Sequence, residues 1–107
     1  MKINLEAKPI RKADWIEEDG RVRIKVIKFK SKFGRWLCRV FKKPNFFFVN
    51  LDEIGSFIWK RCNGKKTVEQ ILEELEETYG EEKMRERLYF FLLALKKYGY
   101  IEFEEGK

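Results

Sequence analysis

Few side chains in this 107-residue sequence could perform covalent chemistry, and their spacing argues against each of them. There is no histidine, which removes the usual general base near neutral pH, the commonest zinc ligand and any Ser-His or Cys-His nucleophile pair. Ser31 and Ser56 sit in neither a GxSxG elbow nor an SxxK pattern. Cys38 and Cys62 lie far apart with no second cysteine near either, so they read as small buried hydrophobes of a reducing compartment rather than as a metal pair. None of the seven glycines builds a GxGxxG or GxxxxGKS/T phosphate loop. No catalytic residue, metal ligand or cofactor site is expected, and the chain reads as a binding module.

The chemistry that remains is recognition. Phe46–Leu51 is too apolar for a strand with one wet face, so it is either central in a sheet or waiting for a partner. An exposed strand edge accepts an extended peptide as one more strand, the backbone giving affinity and side-chain pockets giving selectivity. The second unusual segment is Leu88–Leu95, a helical run apolar on every side, which must be covered on more than one face. Tyr89, Phe90 and Leu93 lie off its main stripe of Met84, Leu88, Phe91, Leu92 and Leu95. They pack beneath other elements or flank a groove beside Phe46–Asn50.

The elements that would position these two segments follow from local signals. Asp19-Gly20 punctuates residues 14–30, where Val22, Ile24 and Val26 alternate with Arg21, Arg23 and Lys25, which predicts a hairpin with one basic, wet face. Phe33, Trp36, Leu37, Val40 and Phe41 repeat at helical spacing, predicting a short amphipathic helix over residues 33–43 whose stripe faces the core rather than a membrane surface. Asp52 caps a helix carrying Ile54, Phe57, Ile58 and Cys62 and stopped by Asn63-Gly64. Thr67-Val68-Glu69-Gln70 is a capping box for a helix ending at Gly80. A third helix is expected over residues 81–98 with Gly99 closing it, and residues 100–104 add a short strand. Residues 1–13, where Pro9 discourages regular structure, read as a partly ordered N-terminal arm ahead of a single domain over residues 14–105. The fold class is α+β: a small antiparallel N-terminal sheet followed by a three-helix bundle, in a winged helix-turn-helix arrangement.

Charge narrows the partners. The net charge of +6 divides unevenly: residues 1–50 hold 14 Lys and Arg against 5 Asp and Glu, a balance of +9, and residues 51–107 hold 10 against 13, a balance of −3. A basic half suits phosphate, an acidic peptide or the acidic surface of a partner protein, or simply forms a solvated face. DNA readout is disfavoured. The second helix carries Glu69, Glu73, Glu74, Glu76 and Glu77, and the third lacks the Arg, Lys, Asn or Gln display that reads base edges. No apolar stretch reaches membrane-spanning length and the first residues lack a signal-peptide core, so a cytoplasmic protein is expected.

Three linked segments carry a resemblance. Leu51-Asp52-Glu53-Ile54-Gly55-Ser56-Phe57-Ile58-Trp59, Asn63-Gly64 followed by Thr67-Val68-Glu69-Gln70-Ile71, and Phe91 to Ile101 with Tyr98-Gly99-Tyr100 resemble the PqqD-like family over about residues 14–103. Members are recognition elements for the precursor peptides of ribosomally made, post-translationally modified peptides. The resemblance implies a winged helix-turn-helix whose third strand pairs with the leader segment of a precursor. It also implies a role as a peptide chaperone that presents the leader to a modifying enzyme, often a radical S-adenosylmethionine enzyme, and does no chemistry itself. Carried over by position, Phe46, Phe47, Phe48, Val49 and Asn50 would be the pairing strand. Arg85, Leu88, Tyr89, Leu92 and Lys96 would form the helix side of the cleft, Arg85 and Lys96 meeting acidic leader residues. Asp52 stands where the family usually has Asn, which keeps the cap. The Lys32–Lys43 segment is longer than the family core, and no Pro-Glu-Gly element precedes the third strand, so the pyrroloquinoline quinone pathway itself is not assigned. The competing readings are a winged-helix DNA-binding regulator and a scaffold that binds folded protein through the basic half. Open strand edges also permit a dimer.

Overall fold

Asp19 and Gly20 both take positive φ, 52° and 80°, the geometry of a two-residue hairpin turn whose twist matches its strands. They join β2 (Asp14–Glu18) to β3 (Arg21–Ile27) as the sequence predicts. The structure is a computed structural model, and it describes residues 3–28, 31–80 and 82–104. The ends of the hairpin, the N-terminal arm, the third helix and the domain that were expected at Lys30, Met1, Glu81 and Glu105 lie outside the described residues. In chain order the elements are β1 (Lys8–Arg11), β2, β3, α1 (Lys32–Val40), β4 (Phe46–Asn50), α2 (Glu53–Arg61), α3 (Val68–Tyr79), α4 (Met84–Lys97) and β5 (Ile101–Glu104). Among the described residues this is an α+β fold with two small antiparallel sheets and four helices.

The helix ends obey the caps read in the sequence. Asp52 accepts from the Gly55 N–H at 2.7 Å, and Thr67 and Gln70 complete a reciprocal capping box at the start of α3. At the end of α4 the Tyr100 N–H reaches Leu95 O and the Gly99 N–H reaches Lys96 O, with Gly99 at φ 78°, the paired bonds of a Schellman stop. α4 begins at Met84, behind Lys83 in the left-handed region at φ 61°.

The core lies where α2, α3 and α4 meet the inner face of β3. Trp59, Ile58, Ile71, Leu75, Leu88, Leu92, Val22 and Ile24 are all essentially inaccessible to solvent. Two polar features anchor α2 to its neighbours beyond this apolar burial. Lys66 and Arg61 both donate to the Glu74 carboxylate, at 2.6 and 2.9 Å, and these bonds hold its pKa below the usual carboxylate range. The Ser56 hydroxyl, buried in α2, accepts from the Val22 N–H at 2.8 Å and so joins that helix to β3.

Three expectations are corrected. The first thirteen residues are not an irregular arm throughout: β1 pairs with β5, Lys8 opposite Glu104 through Arg11 opposite Ile101. The same segment straps the α2–α3 turn, through Gly64 N–H to Pro9 O, Arg11 N–H to Cys62 O and Val68 N–H to Ala7 O. Pro9 is tolerated because β1 is an edge strand that needs few ladder donors. Second, the aromatic stripe of α1 does not face the core. Phe33, Trp36, Val40 and Phe41 are 69, 54, 50 and 66% exposed. Third, only one cysteine is buried. Cys62 is inaccessible and burial pushes its thiol pKa up to about 12, whereas Cys38 is half-buried with its Sγ 3.6 Å from Asn45 Oδ1. Since the thiolate is the reactive species, a thiol-specific chromophore should label Cys38 in the native protein at mildly alkaline pH. The second equivalent should appear only on unfolding, and rapid native labelling of both would contradict the burial of Cys62.

Candidate functional site

β4 is one of the two outer strands of the sheet ordered β2-β3-β4. Its register sets Phe46 opposite Ile27 and Asn50 opposite Arg23. Just beyond the two ends of the pair, the Leu51 N–H donates to Val22 O at 2.9 Å and the Lys28 N–H to Asn45 O at 3.0 Å. Antiparallel ladders bond every second residue, so Phe47 and Val49 turn their amides and carbonyls toward β3. Those of Phe46, Phe48 and Asn50 point the other way, and among the described residues no strand receives them. The open edge is five residues long, about 17 Å.

The side chains along this edge are held in place. Phe47 and Val49 lie on the face of the sheet that carries Val22 and Ile24, and Val49 packs against the core. On the opposite face the Arg23 guanidinium sits 4.4 Å from the Phe48 ring centre and the Lys25 ammonium 4.6 Å from that of Phe46. The two rings meet edge to face at 5.7 Å, and Arg23 Nε also donates to Asn50 Oδ1 at 2.9 Å. The basic residues of β3 thus organise the aromatic residues of β4.

The helix expected to form the other wall is α4, and one close approach sets it against α2. A Cβ on Gly55 would lie 3.3 Å from the Phe91 ring and 3.0 Å from Asp52 Oδ1, so the glycine lets α4 lean directly on the start of α2. Next to it, Arg87 Nη2 is 3.5 Å from Asp52 Oδ2. Asp52, Gly55, Lys83, Arg87, Phe90 and Phe91 border an open concavity of about 460 Å³ just past the end of β4. At the opposite end of α4, Tyr98 shares a depression with Val26 and Ile27 of β3. One flank of α4, marked by Arg87, Phe91, Ala94 and Tyr98 at i, i+4, i+7 and i+11, runs from the concavity that follows β4 to a depression bordered by β3 and by Lys12, Ala13 and Asp14 on the β2 side.

The structure brings together only half of the residues expected for the site. Phe46, Phe47, Phe48, Val49 and Asn50 form the edge as a unit. Of the helix set, Leu88 and Leu92 have no exposed surface and belong to the core, so neither side chain lines a cleft. Arg85, Tyr89 and Lys96 lie on the opposite flank of α4. Arg85 Nη1 donates to the Tyr89 hydroxyl at 3.2 Å, and Lys96 Nζ donates to Glu102 of β5 at 2.8 Å, which keeps the Glu102 carboxyl below its ordinary pKa. Phe90, read in the sequence as able to flank a groove, borders the concavity together with Arg87 and Phe91, which were not among the expected site residues. At 100° per residue, the Met84, Leu88, Leu92, Leu95 stripe puts Arg87, Phe91 and Tyr98 on one side and Arg85, Tyr89 and Lys96 on the other. Nothing in that pattern says which side looks toward β4.

Among the described residues no cluster of three His, Cys, Asp or Glu is placed to hold a metal ion, and no helix is long and apolar enough to cross a membrane. No curated protein and no solved structure matches the chain. Residues 47–101, just over half of it, match the family described as "Coenzyme PQQ synthesis protein D (PqqD)". The matched span starts inside β4 and ends at the first residue of β5, so it holds most of the open edge, the caps of α2 and α3 and both flanks of α4. On that match, the chain belongs to the PqqD family.

Proposed function

We propose that this protein is a non-catalytic adaptor that binds the leader segment of a ribosomally synthesised precursor peptide by strand addition and presents it to a modifying enzyme. A radical S-adenosylmethionine enzyme is the class of partner this reading favours. The helices α2, α3 and α4 with their flanking strands then act as a winged helix-turn-helix, β4 being the docking strand. The observation that carries the reading is the open β4 edge, with outward-facing peptide groups at the alternate residues Phe46, Phe48 and Asn50. Backbone pairing supplies affinity there without base or metal chemistry, and Arg87 and Lys83 offer cations for an acidic leader. The exposed Glu69, Glu73 and Glu77 on α3 repel phosphate and weigh against a duplex DNA partner.

The test is a titration of isotopically labelled protein with a synthetic leader from a short reading frame encoded beside its gene. Amides of Phe46, Phe48 and Asn50 should shift and gain protection from exchange. Those of Phe47 and Val49, already bonded to β3, should change less. An unchanged spectrum at large peptide excess would sink the proposal.

A further inference from the structure

α1 has three sides with three different characters. Gly34 is buried and Cys38 rests on Asn45, which fixes the side turned toward the protein. The second side carries Phe33, Trp36 and Val40, all at least half exposed, with Phe41 beside them just past the helix; the Phe33 and Trp36 rings stack at 6.1 Å. The third carries Lys32, Arg35 and Arg39, and Lys42 and Lys43 follow directly. Among the described residues none of these five cations has an acidic partner.

The surroundings extend the pattern. From Gly20 to Leu51 the sequence holds ten Lys and Arg and no Asp or Glu. α1 is inserted at the end of the β3–β4 ladder, where Ile27, Phe46 and Phe47 are also exposed, so three successive elements each contribute exposed apolar residues there. Lys28 and Lys43 flank a shallow depression lined by Leu37, Cys38 and Phe41, an arrangement that suits an anionic head above an apolar chain. The helix also lies outside the span that matches the family.

We infer that α1 is a membrane-surface anchor that lays its Phe33, Trp36, Val40 and Phe41 side into the interface of an anionic phospholipid bilayer. Nine residues give a helix of about 13 Å, far short of the ~30 Å hydrocarbon core, so it lies flat. Aromatic side chains then enter the headgroup layer while the Lys and Arg side meets anionic heads. Charge complementarity selects the anionic lipid, and the outward-standing ridge of rings suits a fluid layer, which needs no matching pocket. An adaptor held in this way would work at the membrane surface, and the anchor does not depend on the leader-binding reading.

The experiment is co-sedimentation of the full chain with vesicles of equal parts phosphatidylglycerol and phosphatidylcholine, and with phosphatidylcholine alone. Binding is expected to the anionic vesicles, falling as salt rises, with a blue shift of tryptophan emission that is lost in Trp36→Ser. The double variant F33S/W36S should bind roughly ten-fold more weakly, and each of Arg35→Glu and Arg39→Glu about five-fold or more. All four positions are exposed, so circular dichroism and thermal midpoints should be unchanged, as should leader titration of the same variants. No association with anionic vesicles at low salt overturns the inference, whatever the leader titration shows. So does association that survives F33S/W36S, since attraction without insertion is not an anchor. Loss of binding to an acidic protein partner in these variants, with vesicle binding absent in the parent, also overturns it and reassigns the surface to protein docking.

Discussion

Leu88→Ala and Leu92→Ala should each lower the unfolding free energy by about 3 kcal/mol while leaving leader affinity of the folded protein within about two-fold. Both side chains are completely buried between α4 and the rest of the core, so truncation removes transfer energy and leaves a cavity that rigid neighbours fill only in part. Against a total stability of about 5–15 kcal/mol this is a large fraction, readable as a lower denaturant midpoint at constant slope. The contrasting variant is Phe90→Ala. Its ring is 63% exposed and borders the concavity beside Asp52 and Arg87, so stability should hardly move while leader binding weakens about ten-fold. If Arg85→Ala and Tyr89→Ala weaken binding and Phe90→Ala does not, then the leader lies against the other flank of α4.

That contrast turns on a question the sequence leaves open, and the reason is physical. Caps and turns are local: Asp19-Gly20, Asp52, the Thr67–Gln70 box and Gly99 each act within four residues, and each appears in the structure as read. What lies opposite a helix face is not local. Periodicity correctly marks α1 as amphipathic, but it cannot say whether its stripe meets a core, a partner or open surface. The same blindness leaves the choice between the two flanks of α4 open, because both flanks of the Leu88 and Leu92 stripe carry one arginine and one tyrosine. β1 shows the extreme case: its partner, β5, is separated from it by nearly the whole chain, and four residues containing Pro9 have no alternation to announce it. For the site itself, the strand was legible in Phe46–Asn50. Its position at the edge depends on strand order, which composition does not encode.

The open edge has a backbone test that separates pairing from side-chain contact. Phe48→Pro removes an N–H that points away from β3, so the β3–β4 ladder should survive, proline being tolerated on edge strands. Phe48→Ala removes the same ring from beneath Arg23 but keeps the N–H. The difference between the two therefore isolates one backbone donor, to which an incoming strand would bond. Leader affinity should be about ten-fold weaker for Phe48→Pro than for Phe48→Ala, the upper end of what one net hydrogen bond contributes. Val49→Pro provides the opposite result: its N–H is committed to β3 and its side chain packs on the core, so the loss should appear as about 3 kcal/mol of stability. Thermal melts and calorimetric titration on the three variants read both quantities. Equal leader binding by Phe48→Pro and Phe48→Ala would mean that the peptide does not extend the sheet, and β4 would then be only one side of a cleft filled by side chains.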